Sequence, residues 1–165
     1  MEIRKLSEDD LEMRVTLLND PRVTEFIHLN GHIDIEGTRK WYKIIKSNNK
    51  RVDFSFIHED KIIGMGGLSD ISNIDEHASL YIYISPEYHG KGLGTQALKL
   101  LCSYGFNYLN LRRIYLYTFV TNEVANHIYE KVGFVREGVL RKHTKKNGEL
   151  VDRYFWGLLK ENFKA

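Results

Sequence analysis

At 165 residues, 42% of them apolar, the chain is long enough to bury a sizeable core, and residues 1–165 are expected to form a single domain. A formal charge of +2 creates no demand for nucleic acid or an anionic membrane as a partner. One cysteine excludes an internal disulfide, MEIRKLSEDD has no apolar signal core, no apolar run reaches membrane-spanning length, and no Cys/His cluster has metal-ligand spacing; a reducing cytoplasm and no metal are therefore expected.

Glu2 to Leu6 reads as a short first strand. Ser7 with Asp10 forms a capping box ahead of Leu11, Val15 and Leu18, which share a helical face, and that helix ends near Asn19-Asp20-Pro21. A second helix is expected over Ile35 to Asn48, carrying Trp41, Tyr42 and Ile45, with Glu25 to Asp34 as the loop between. Loops laid against a sheet tend to carry binding residues. Glu25, His28, His32 and Trp41 are thus candidate contacts, and solvated charges with a core tryptophan explain them equally well.

Val52 to Ile57, Lys61 to Leu68 and Ala78 to Ile84 have strand composition and read as consecutive antiparallel strands. In the last, Ala78, Leu80, Ile82 and Ile84 point one way, while Ser79, Tyr81 and Tyr83 point the other, toward a cleft. The run SPEYHGKGLG follows, with Gly90, Gly92 and Gly94 at alternate positions opening a helix. Such a junction is a ready anion site, because the first amides of a helix lack intrahelical partners and lie at the positive end of its dipole. A merely structural turn would have the same glycines. No Walker lysine-serine pair ends the loop, and the glycine spacing does not fit the dinucleotide fingerprint.

The helix is expected from Thr95 to Leu111, its polar stripe formed by Gln96, Lys99, Ser103, Asn107 and Asn110, with Cys102 as a small apolar filler. Arg113 to Val120 is the next strand. Asn122 and Asn126 then share a face of a short helix that Gly133 terminates, and Asn122 fits its N-cap. Ala125, Ile128, Tyr129 and Val132 form the apolar face, which would make Tyr129 a core residue on periodicity alone. Phe134 to His143 and Leu150 to Leu158 complete the sheet as a hairpin around Asn147-Gly148.

The segments SPEYHGKGLGTQAL, YGFNYLNLRRIYL and NEVANHIYEKVGFVREGVLRKHTKKNGELVDRYFW cover about half the chain, and through them it resembles the Gcn5-related N-acetyltransferases. The branch it resembles contains spermidine and ribosomal-protein-alanine N-acetyltransferases. The resemblance implies one α/β domain: a central mixed, mostly antiparallel sheet of six to seven strands with about four helices on both faces. It also implies acetyl transfer from acetyl-CoA to an amine, directly and without a metal, or a CoA-binding sensor of the same fold that has lost turnover. A homo-oligomer is left open.

By the same resemblance, the strand ending at Ile84 carries a bulge and splays from Arg113 to Val120. The pantetheine arm lies in that gap against Tyr81, Ile82 and Tyr83. The pyrophosphate meets His89, Gly90, Lys91, Gly92, Leu93, Gly94 and Thr95, with His89 standing where the family usually has glutamine or arginine. Asn122 and Asn126 contact the cofactor, and Tyr129 is the proton donor to the leaving sulfur. Polyamine enzymes of the branch place a glutamate where this chain has Ser79, which argues here for a singly charged or peptide-borne amine. The acceptor classes are a ribosomal-protein α-amine, a polyamine or an amino-sugar nucleotide, and the candidates for the base are His77, Glu76, Tyr81, Glu25 and Asp152.

Overall fold

Seven strands form one mixed sheet in the order β1-β2-β3-β4-β5-β7-β6, in a computed structural model that describes residues 1–165. The strands are β1 (Glu2–Lys5), β2 (Val52–His58), β3 (Lys61–Ser72), β4 (His77–Ile84), β5 (Arg113–Phe119), β6 (Val135–Lys146) and β7 (Glu149–Leu159). All neighbours are antiparallel except β4 and β5. The helices are α1 (Leu11–Leu18), α2 (Pro21–Thr24), α3 (Ile35–Lys46), α4 (Leu93–Ser103) and α5 (Glu123–Val132). None is long and apolar enough to cross a membrane.

The alternation in β4 sorts the molecule into two layers. Ala78 and Leu80 enter the main core with Ile114, Leu116, Trp156 and Leu158, covered by α4 through Leu93, Ala97, Leu98, Leu101 and Cys102 and by α5 through Tyr129 and Val132. On the other face Tyr83 and Met65 pack with Leu17, Leu18 and Val23 of α1 and α2. The capping box holds: the Ser7 amide donates to Asp10 Oδ2 at 2.9 Å, Ser55 Oγ donates to the same oxygen at 2.8 Å, and Arg4 pairs with Oδ1 at 2.7 Å.

Several boundaries differ from expectation. Pro21–Thr24 is a short helix rather than an extension of the loop, because Asp20 caps it by accepting the Arg22 amide at 2.9 Å and proline suits its first position. The expected Thr95–Leu111 helix starts earlier, at Leu93, and ends at Ser103; Tyr104–Tyr108 continues as a widened π-turn that sets Gly105 against Leu68 and Ile114. The β6–β7 hairpin runs to Lys146 before its Asn147-Gly148 turn.

Candidate active site

β4 and β5 pair only at His77↔Arg113, Ala78↔Ile114 and Ser79↔Tyr115. Beyond that point β4 stays with β3 up to Gly64↔Ile84, and β5 stays with β7 up to Phe119↔Arg153. Each strand follows its own antiparallel partner, and the twist of the sheet carries the two apart. A wedge opens between Leu80–Ile84 and Leu116–Phe119, lined by backbone groups that the ladder leaves unpaired. An extended ligand can add to such edges as a strand would. The expected bulge is not in this stretch: register with β3 is regular from Ile84 to Ser79 and shifts only between Ser69 and Ser72.

At the wide end of the wedge stands the glycine loop. Gly90 and Gly92 have φ of 74° and 75°, the left-handed region, and a Cβ built at either meets nothing within 4 Å. Gly92 is the N-cap of α4, so the amides of Leu93, Gly94 and Thr95 point outward without helical acceptors. Lys91 lies over the Tyr88 ring at 5.2 Å. His89 is turned away: its Nε2 donates to the Ile84 carbonyl at 3.0 Å, closing the strand-to-loop junction.

The β5 side of the wedge, beyond the last β4–β5 pair, is bounded by α5. Tyr129 is 8% exposed and lies against Phe134 and Trp156. Burial, with a smaller contribution from Cys102, pushes its phenol well above the ordinary tyrosine value, and burial alone does the same to the Cys102 thiol, so both remain protonated. Asn122 caps α5 by accepting the Ala125 amide at 3.3 Å. Asn126 has a structural role that its mid-helix position does not announce. Trp156 Nε1 donates to Thr118 Oγ1 at 2.9 Å, Thr118 donates to Asn126 Oδ1 at 2.6 Å, and Asn126 Nδ2 donates to the Val120 carbonyl at 3.3 Å. This chain of bonds ties α5 to the far bank of the wedge.

On the opposite face, Ile82 and Tyr81 diverge: Ile82 packs on the main core, while the Tyr81 hydroxyl donates to Asp53 Oδ1. Arg51 holds the same carboxylate through Nε and Nη2 at 2.8 Å. Burial first, and then the Asp53 charge, raise the Tyr81 pKa, so this phenol keeps its proton at neutral pH. Burial similarly raises Tyr83 to about 12. Trp41 is stacked by Arg14 at 3.8 Å and by Arg51 at 5.4 Å, which makes it part of the framework of this wall. An Arg-x-Asp pair inside an otherwise apolar strand start, RVDFSF, is the signal by which Arg51 and Asp53 could have been found.

The remaining candidates separate. Glu25 and His32 line an open depression of about 630 Å³ with Arg22, Asn19 and Lys146, whereas His28 lies outside its lining. His77 and Glu76 stand at the closed end of the β4–β5 pair, His77 with its ring against Tyr115 and its Nε2 3.8 Å from Asp75. Asp152 is committed elsewhere, accepting the Lys142 amide at 2.7 Å.

A family model described as an acetyltransferase (GNAT) domain matches residues 1–135. The chain belongs to the GNAT acetyltransferase family. It is 32% identical over 154 residues to a spermidine N(1)-acetyltransferase of Vibrio cholerae, covering 91% of this chain and 87% of that one. It is 28% identical over 166 residues to an uncharacterized N-acetyltransferase, p20, of Bacillus licheniformis, covering 98% and 93%. The crystal structure of the Vibrio cholerae spermidine N-acetyltransferase in complex with CoA and spermine superposes with a TM-score of 0.93 at 28% identity, over 98% of this chain and 96% of that one. The expected fold therefore holds, with five helices where about four were expected.

The enzyme is an acyltransferase that takes its acetyl group from acetyl-CoA, with an amine as the acceptor class. Its geometry suits that co-substrate: unpaired strand edges for an extended arm, and an uncovered row of amides for its phosphates.

Proposed function

We propose that residues 1–165 act as one N-acetyltransferase domain that moves acetyl directly from acetyl-CoA to a primary amine of low positive charge. The wedge between β4 and β5 carries the reading. Backbone around Tyr81, Ile82 and Tyr83 would bond the pantetheine arm. The loop from His89 through Gly90, Lys91, Gly92, Leu93 and Gly94 to Thr95 would take the pyrophosphate, its amides doing the work that His89 cannot do while tied to Ile84. Asn122 and Asn126 would border the arm from α5.

The neutral amine attacks the thioester carbonyl, and the C–N bond forms as the C–S bond breaks. The thiolate leaves as the thiol with a proton from Tyr129, and the proton shed by the new amide nitrogen passes through solvent to restore the Tyr129 phenol. The Tyr129 phenol is uncharged and holds its proton at neutral pH, as burial raises its pKa further above the ordinary tyrosine value, so a proton is in place to give. The acceptor approaches from the face of Ser79, Tyr81 and Tyr83. There the Asp53 charge is already matched by Arg51, and the depression beside α2 mixes Arg22 and Lys146 with Glu25, so this side does not favour a polycation.

The similarity to spermidine N-acetyltransferases supports a second reading, with a polyamine as acceptor. Thiol release from acetyl-CoA, measured with spermidine, an alanine-terminated peptide, glucosamine and an amino-sugar nucleotide, decides between them. A kcat/KM for spermidine far above the other three would overturn the low-charge reading. Turnover of none of the four would overturn the substrate class.

A further inference from the structure

The β6–β7 hairpin extends past the sheet it belongs to. β5 braces β7 only between Leu159 and Arg153, so residues 141–152 project beyond the last strand beside them. Within the projection Leu140 faces Arg153 and Thr144 faces Val151, leaving Arg141, Lys142 and His143 opposite Asp152 alone. Lys142 takes a φ of 50° there and donates its amide to the Asp152 carboxylate at 2.7 Å. An enlarged bulge of this kind bends a hairpin.

The bent tip ends on the segment after α2. Lys146 Nζ donates to three backbone carbonyls, those of Thr24 at 2.8 Å, Ile27 at 2.8 Å and Leu29 at 3.0 Å. An ammonium has three N–H donors, and all of them are used. The segment it grips is pinned at its base by Asn19, whose side chain exchanges bonds with the Ile33 backbone at 2.7 and 2.9 Å. Val23, Ile27 and Leu29 seat the segment on Met65 and Tyr83, on the β3–β4 bank, whereas the hairpin springs from the β5–β7 bank. The contact therefore spans the split in the sheet.

We propose that Lys146 is the latch of this bridge: seated in a cage of three carbonyls, its ammonium holds the hairpin across the split and sets the position of the Thr24–Leu29 wall that the amine acceptor passes. Lys146 is a positioning residue, acting through that wall. The inference rests on the wedge being the site of acetyl transfer.

Two substitutions separate a latch from a mere charge. Lys146→Met keeps the apolar stem and loses the donors. Lys146→Arg keeps the charge, but a planar guanidinium cannot aim three donors into one cage. For the latch, hydrogen exchange at Thr24–Leu29 is expected to quicken roughly 10-fold or more in both variants. With the panel amine that the wild type turns over fastest, KM should rise about 5-fold or more, while kcat stays within about 3-fold and acetyl-CoA affinity within about 2-fold. A charge acting only through its field predicts the opposite sign, since removing a cation near the site lowers KM for a cationic amine and the arginine variant behaves as wild type. Either of those results, unchanged exchange in Lys146→Met, or an equal loss of acetyl-CoA affinity would overturn the proposal. Failure of the wild type on every amine would sink the functional reading and leave the exchange test standing.

Discussion

Across the thickness of the sheet the wedge has a second pair of banks, its two faces, and these are built from different materials. The side toward α4 offers backbone: unpaired strand edges, the amides of Leu93 to Thr95, and a loop that two positive-φ glycines hold open. The side toward α1–α3 offers side chains drawn from distant segments, with Arg14 and Arg51 on Trp41, Arg51 and Tyr81 on Asp53, and Lys146 on the loop after α2. Backbone recognition suits a co-substrate common to a whole family. Side-chain recognition suits an acceptor that varies within it, because a single substitution alters its charge or shape.

The sharpest way to break the comparison is on the backbone bank. Gly92→Val puts a β-branched residue at a φ of 75° and a Cβ into the open space before the α4 amides, where we propose that the phosphates bind. Acetyl-CoA affinity by calorimetry is expected to fall about 10³-fold, on the order of 4 kcal/mol, with the fold retained. Gly94 is a built-in control: a Cβ there meets Ile84 and Ile128 at 3.8 and 3.9 Å, ordinary contact, so Gly94→Ala should fold as wild type. Unchanged affinity in folded Gly92→Val would remove the backbone half of the contrast.

Tyr129→Phe comes next. It deletes one hydroxyl from a site whose ring packing with Phe134 and Trp156 is otherwise kept, and kcat should drop roughly 10²-fold with acetyl-CoA affinity intact. Because burial raises this phenol well above the ordinary tyrosine value, wild-type kcat should show no loss from Tyr129 ionisation up to about pH 10. Near-normal turnover in the variant would make Tyr129 a packing residue.

On the side-chain bank, Asp53→Asn leaves Arg51 beside Trp41 and Tyr81 without its counter-charge. A partly buried pair broken on one side should cost about 1–3 kcal/mol, read as a lower denaturant midpoint. Acetyl-CoA affinity should stay within about 2-fold while amine KM changes, the reverse of the Gly92 result. If both ligands suffer alike, the banks are not separable.

The same division explains what could be read from the residues alone. The alternation in β4, the alternate glycines and the N-x-x-A-x-x-x-Y spacing from Asn122 to Tyr129 are local patterns, and local patterns determine strands, caps and helix faces. The apolar stripe continues through Phe106 and so carries the helix pattern past its end at Ser103; only tertiary packing of Gly105 against Leu68 and Ile114 shows why the turn widens there. Asparagine is a poor helix former, and the reason for Asn126 in mid-helix lies in Thr118 and Val120, which only the fold brings beside it. Lys146 gave no signal: its partners lie 117 to 122 residues away and are backbone carbonyls, which no residue type encodes.

The smallest expected effect is an acid sensitivity confined to the side-chain bank. Asp10 lies under α1, and burial alone would raise its pKa; the Arg4 hydrogen bond, the Ser7 amide and Ser55 outweigh burial and hold it below the ordinary aspartate value. A carboxylate depressed in the folded state contributes stability that is present above its unfolded pKa and is lost as pH falls through the folded value. The window therefore lies below about pH 4. The α4 bank rests instead on Leu93, Ala97, Leu98, Leu101 and Cys102, whose burial does not titrate there. Hydrogen exchange at pH 3, corrected for the intrinsic rate, should accordingly quicken in β1 and α1 before α4, and Asp10→Asn should produce the same pattern at pH 7 with a fall of roughly 3–6 °C in Tm. Simultaneous loosening of α1 and α4 on acidification would mean that the two banks unfold as one unit, and that their difference is one of recognition rather than of stability.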